Sequence, residues 1–284
     1  MADEKGRKHI SLVGEDEDEA EDEVPKPEPG KRARRRRRGI YLLPNLFTTA
    51  ALFFGFFAII AALTGRFSTA AVVVLVAAIM DGLDGRVARL TNTQSDFGAE
   101  YDSLSDMVSF GVAPALIVYV WALDDLASLG WKFANLAWLA AFLYAACAGL
   151  RLARFNTQIG KADKRFFQGL ASPPAAGVLV CLVWLGDDLG YRGQEWAVLA
   201  LFVTVAAGLL MVSKFAYYSF KDIGTRSRVP FLALLVPVLL LVLISIDPPT
   251  VLFSLAALYA LSGPALSLFR WTRKRLRGDK SATR

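Results

Sequence analysis

The apolar positions of this chain fall into long runs separated by short polar breaks. Runs able to cross roughly 30 Å of hydrocarbon at about 1.5 Å per helical residue lie at about 42 to 63, 68 to 90, 101 to 123, 133 to 155, 172 to 186, 195 to 213, 229 to 246 and 250 to 269. The pattern predicts an all-α fold: a polytopic membrane helical bundle of about eight transmembrane helices with N- and C-termini cytoplasmic. The fifth run, Ser172 to Gly186, is short for a span, which leaves six or seven crossings as alternative counts.

Lys and Arg positions discriminate between these counts, because cytoplasmic loops are enriched in both. With eight spans and the N-terminus inside, the outside connections hold only Arg66, Lys132 and Arg192 of the 32 basic residues, and 29 (32 minus 3) fall inside. Deleting one span would flip everything after it and put a basic loop on the wrong side. The expected location is the cytoplasmic (inner) cell membrane, with the loop after the second run facing the cytoplasm.

Composition changes this picture only at the ends. The chain has 284 residues, 55% of them hydrophobic, a mean hydropathy of +0.41 and a formal charge of +6. Residues 1–30 hold the acidic tract Glu15 to Glu23 and then Pro25, Pro27 and Pro29, too little apolar surface to fold alone. They also lack the apolar core of a cleavable signal peptide. The run Lys31 to Arg38 directly precedes an apolar segment, where a basic cluster meets anionic membrane lipids, so nucleic acid is not an expected partner. The expected organisation is a disordered acidic then basic tail over 1–38, a membrane domain over 39–270, and a basic tail over 271–284. Cys147 and Cys181 lie in apolar runs and read as small buried hydrophobes.

Candidate chemistry concentrates between Asp81 and Asp106. Asp81 and Asp84 are three apart at the end of one apolar run, and Asp102 and Asp106 four apart at the start of the next, so each pair shares a helix face. Two helices joined by a turn around Thr91 to Phe97 would aim four carboxylates into one pocket. Their repulsion demands a cation, and hard Mg²⁺ or Mn²⁺ suits an all-oxygen site. Acids at a membrane rim are costly and point to function. The only histidine is His9, in the N-terminal tail, so acid–base chemistry falls to carboxylates. Arg89 can pair with phosphate. Gly85 and Gly98 either let a ligand approach the backbone or permit close helix packing.

These residues match the pattern Asp-x2-Asp-Gly-x2-Ala-Arg-x8-Gly-x3-Asp-x3-Asp at every specified position, with Ala88 and Arg89 as its Ala-Arg. On that ground the chain resembles the CDP-alcohol phosphotransferase family. Further stretches are similar to its phosphatidylserine synthase branch: Pro44-Asn45-Leu-Phe-Thr48, Thr93 to Gly98, Phe110-Gly-Val-Ala-Pro114, Leu150-Arg151-Leu-Ala-Arg154-Phe155-Asn156, and Phe167-Gln-Gly169-Leu-Ala-Ser-Pro173. Ala171 stands where the branch often has proline.

The resemblance implies an enzyme in which a hydroxyl attacks the lipid-linked phosphorus of CDP-diacylglycerol and CMP leaves, with Mg²⁺ or Mn²⁺ as cofactor, two ions in all. It implies Asp81, Asp84 and Asp102 as core metal ligands, and Asp106 as a further ligand that also takes the proton of the attacking hydroxyl. It assigns the CDP moiety to Gly85, Ala88, Arg89 and Gly98, makes L-serine the acceptor, and implies a homodimer. For the serine carboxylate the apt residues are Arg154 and Arg151, whose alternative role is positive-inside anchoring. Asn156 and Gln94 either bond the substrate or cap helix ends. The alternative acceptors are glycerol 3-phosphate, inositol phosphate or choline. A divalent-cation transporter is the alternative from another class, but it should show broken helices or repeats at the midplane, and none is evident.

Overall fold

The computed structural model describes residues 31–91, 95–158, 166–218 and 231–279. The chain divides into two units, Met1–Arg38 and Gly39–Arg284, and every contact given below lies within the second. Each of the eight apolar runs forms a helix over its described residues. They form α1 (Lys31–Leu63), α2 (Phe67–Thr91), a continuous third rod over Asp96–Leu129 that begins with α3 (Asp96–Asp106) and contains α4 (Ala113–Val118), then α5 (Trp131–Gln158), α6 (Ser172–Asp188), α7 (Gly193–Val212), α8 (Phe231–Ile246) and α9 (Pro248–Asp279). β1 (Phe166–Gln168) and β2 (Ala216–Tyr218) add an antiparallel ladder pairing Phe167 with Tyr217.

Two ends of the helices run past the apolar pattern. α1 takes in the basic run Lys31–Arg38, which composition placed in the tail, and α9 continues to Asp279. Arg and Lys are good helix formers, so an apolar helix can propagate into a basic flank. The tail residues 1–30 lie outside the described residues.

Among the described residues, six helices are long and apolar enough to cross a bilayer: those over Asn45–Leu63, Phe67–Thr91, Asp96–Leu129, Trp131–Thr157, Gly193–Val212 and Pro248–Phe269. This is a multi-pass membrane architecture. Phe53, Phe142 and Phe202 are 62%, 63% and 68% exposed, which suits hydrocarbon and would be a liability in water. α6, with 17 residues, is the short fifth run, and its contacts show how it reaches across. Just before its start, Leu170 N–H bonds Leu210 O at the end of α7 (3.0 Å), while near its end Asp187 accepts from Ser68 at the start of α2. It therefore runs between the same two rims as α2 and α7, about 26 Å apart at 1.5 Å per residue. Its side chains from Ala175 to Val183 are buried, so neighbouring helices rather than lipid surround it.

Small residues let these helices approach. A Cβ on Gly55 of α1 would sit 2.7 Å from Ser109 Cα, and one on Gly208 of α7 would sit 3.2 Å from Tyr144 Cα. Gly169, between β1 and α6, has φ +80° and would bring a Cβ within 2.3 Å of Met211 O, so only glycine fits.

The third rod is not a regular α-helix. It passes through π turns at Met107–Val112 and Tyr119–Leu123, on either side of α4. Pro114 has no N–H for the carbonyl four residues before it, that of Phe110. The fully buried Tyr144 hydroxyl of α5 donates to that oxygen instead (3.0 Å).

Candidate active site

Two helices supply the acids. α2 carries Asp81 and Asp84 within its last three turns, and α3 carries Asp102 and Asp106 at the start of the third rod. α3 starts where it does because Ser95, in extended conformation (φ −136°, ψ 152°), accepts the Gly98 N–H through its hydroxyl (3.1 Å), a standard N-terminal cap. The intervening residues 92–94, including the candidate Gln94, lie outside the described residues.

The structure brings the four carboxylates together. Asp81, Asp102 and Asp106 each offer an oxygen within 4.8 Å of the others. Asp84 completes the group: it lies beside Asp102, within hydrogen-bonding reach, and close enough to Asp81 for their charges to interact. Asp84 is only 5% exposed, and its Oδ2 accepts the Thr48 hydroxyl of α1 at 2.8 Å. Oδ1 of Asp102 is buried with no hydrogen-bond partner. Among the described residues, no Lys or Arg forms an ion pair with any of the four. Two such charges 4.8 Å apart repel by about 3 kcal/mol at an effective dielectric near 20. An all-oxygen donor set with an unpartnered buried oxygen fits a hard divalent cation, and Asp81, Asp102 and Asp106 could hold one.

The other candidates divide by what surrounds them. A Cβ on Gly85 would meet nothing within 4 Å, so close packing does not account for that glycine, and the space beside it is open. Gly98 packs locally, since a Cβ there would lie 3.1 Å from Ser95 Oγ and 3.5 Å from Asn45 Oδ1. Ala88 is half-buried, and Arg89 is exposed in the last turn of α2.

On α5, Arg151 points one nitrogen at two backbone oxygens, those of Gln168 and Met211, both at 3.3 Å. It thereby ties the ends of α5, β1 and α7 together. Arg154 donates to the Gln168 side chain. Asn156 Nδ2 donates to Ser103 Oγ at 3.0 Å, which docks the end of α5 beside Asp102.

Two contributing residues carry no role in the sequence reading, although both stand in stretches noted there: Thr48 in Pro44 to Thr48, and Gln168 in Phe167 to Pro173. The available signal was a polar side chain inside an apolar run for Thr48, and a polar residue just before the positive-φ Gly169 for Gln168.

Comparison with known proteins adds two findings. The family model described as CDP-alcohol phosphatidyltransferase matches residues 41–209. Among similar proteins, the CDP-diacylglycerol--serine O-phosphatidyltransferase of Helicobacter pylori (strain ATCC 700392 / 26695) is 36% identical over 243 residues, covering 86% of this chain and 98% of that protein. The protein of the same name from Mycobacterium tuberculosis (strain ATCC 25618 / H37Rv) is 39% identical over 184 residues, 62% of this chain and 61% of that one. The archaetidylserine synthase of Methanothermobacter thermautotrophicus is 33% identical over 187 residues, 65% of this chain and 73% of that one.

Proposed function

This chain belongs to the CDP-alcohol phosphatidyltransferase family, and from that premise we propose that it is a phosphatidylserine synthase, moving the phosphatidyl group of CDP-diacylglycerol to the hydroxyl of L-serine with release of CMP. The observation that carries the reading is the convergence of Asp81, Asp84, Asp102 and Asp106 in one under-satisfied cluster. Serine as acceptor is supported by its place in the names of the bacterial and archaeal relatives alike.

In this reading the four aspartates hold Mg²⁺ or Mn²⁺, two ions, which when bound offset the pyrophosphate charge and the charge developing on the entering and leaving oxygens. Asp106 takes the serine hydroxyl proton as the new O–P bond forms and the P–O bond to CMP breaks. Open space beside Gly85 admits the CDP moiety, and Arg89 pairs with its phosphates. Arg154 receives the serine carboxylate. Of the two arginines it is the better candidate, because Arg151 is engaged by two backbone carbonyls whereas Arg154 bonds one side chain and a guanidinium has five N–H donors. The rim bearing the acids faces the cytoplasm, which the 29 to 3 split of Lys and Arg supports and which suits a cytosolic amino acid meeting a membrane lipid.

The test is purified protein in detergent with CDP-diacylglycerol, Mn²⁺ or Mg²⁺, and a panel of labelled alcohols. CMP release that depends on serine, with label in phosphatidylserine, is the expected result. Release driven by glycerol 3-phosphate, inositol phosphate or choline, with serine inert, would overturn the acceptor assignment.

A further inference from the structure

Thr48 of α1 touches both acid-bearing helices. Its hydroxyl donates to Asp84 Oδ2 on α2 at 2.8 Å, and its backbone oxygen accepts from Ser105 Oγ on α3, next in sequence to Asp106, at 3.1 Å. Thr48 and Ser105 are 4% and 2% exposed, so water does not compete for either bond.

This contact belongs to a ladder that fixes the register of α1 against the third rod. Thr49 and Tyr101 pair through their hydroxyls at 3.0 Å, and Ser109 Oγ donates to Ala51 O at 3.1 Å, one turn beyond Ser105. At the next turn the absence of a side chain on Gly55 lets the backbones meet at Ser109. The two rods run parallel and cannot slide without breaking these rungs. Packing of α1 on the third rod thus sets where the Thr48 hydroxyl stands, and the Thr48 hydroxyl sets where the Asp84 carboxylate points.

We infer that Thr48 is a positioning residue for the cation site: it holds Asp84 Oδ2, presents the other carboxylate oxygen toward the Asp81–Asp102–Asp106 cluster, and locks the α2 acids to the α3 acids through Ser105. The inference rests on the reading of the four aspartates as cation ligands. A residue that orients a metal ligand through a hydrogen bond typically contributes tenfold to a hundredfold in metal affinity.

The experiment measures Mn²⁺ binding to the purified, substrate-free protein by electron paramagnetic resonance of the free ion. Comparison of the wild type with Thr48→Val, which keeps the shape and removes the hydroxyl, and with Thr48→Ser, which restores it, isolates the hydrogen bond. Thr48→Val should weaken Mn²⁺ binding by about tenfold, Thr48→Ser should stay within about threefold of wild type, and excess Mn²⁺ should recover Thr48→Val turnover. A purely structural role would not yield to added metal. Should Thr48→Val fail to give monodisperse protein, Thr48→Ala and Ser105→Ala carry the same comparison, both expected to bind more weakly. Equal affinity of wild type and hydroxyl-less variants overturns this inference alone, whereas a wild type that binds no Mn²⁺ overturns the metal reading as well.

Discussion

Acids stand at both rims of the bundle, and their surroundings are opposite in kind. At the far rim, Asp187 at the end of α6 accepts both the backbone N–H (3.1 Å) and the hydroxyl of Ser68, so it caps the first turn of α2, where negative charge meets the positive end of the helix dipole. Asp124 there accepts the Tyr119 hydroxyl at 3.0 Å. At the near rim four carboxylates crowd one another, and Asp102 Oδ1 is buried without a donor. An acid with its donors in place is part of the scaffold. Carboxylates that crowd one another, with one buried oxygen left without a donor, could hold a cation, and folding alone gains nothing from that arrangement.

Substitution at the two rims should separate these roles. Asp106→Asn keeps the shape and removes the proposed proton acceptor, so turnover should fall by about 10²- to 10⁴-fold with the protein still folded. Asp81→Ala, Asp84→Ala and Asp102→Ala should likewise lose all but a few per cent of CMP release. Asp187→Ala should leave turnover near wild type. Comparable losses at Asp187 and Asp102 would erase the distinction.

Arg154→Ala should come next in size. An unpaired substrate carboxylate costs roughly 2 to 4 kcal/mol, or about 30- to 1,000-fold in kcat/KM for serine, with the KM for CDP-diacylglycerol nearly unchanged. Arg154→Lys keeps the charge, loses the fork and should be intermediate. A raised KM for the lipid alone would move Arg154 to the phosphate site.

The structural variants should have the smallest effects, read as thermal unfolding in detergent. Asp187→Ala removes the cap on α2 and should cost about 0.5 to 2 kcal/mol. Tyr144→Phe frees the Phe110 carbonyl and should cost about 1 kcal/mol. Neither should alter the metal dependence of turnover, and a change in it would tie that residue to the near rim.

Much of this comparison was readable from the chain because it depends on local spacing. Long apolar runs located the eight helices, and the three- and four-residue spacings placed each acid pair on one face. The charge split also gave alternating crossings, with which the contacts of the short α6 agree. Contacts between residues far apart in sequence were not readable. Thr48 meets Asp84 across 36 residues and Ser68 meets Asp187 across 119, and periodicity along one helix cannot report which polar atoms meet on another. For the same reason Asp187, just past the fifth apolar run, carries no role in the sequence reading. The π turns beside Pro114 and the β1–β2 ladder depend on Tyr144 and on the docking of distant segments, and the apolar pattern is silent about both. Arg151, one of two candidates on α5, is occupied by carbonyls of Gln168 and Met211 that arrive from later in the chain.

If the near-rim acids are a cation site serving transfer to serine, stripping the purified protein of divalent metal should abolish serine-dependent CMP release, and adding back Mn²⁺ or Mg²⁺ should restore it. The expected result is no turnover in the stripped protein, saturable recovery with either ion in the wild type, and no recovery in Asp102→Ala. Full turnover by the stripped wild type, or equal recovery by Asp102→Ala, would contradict it.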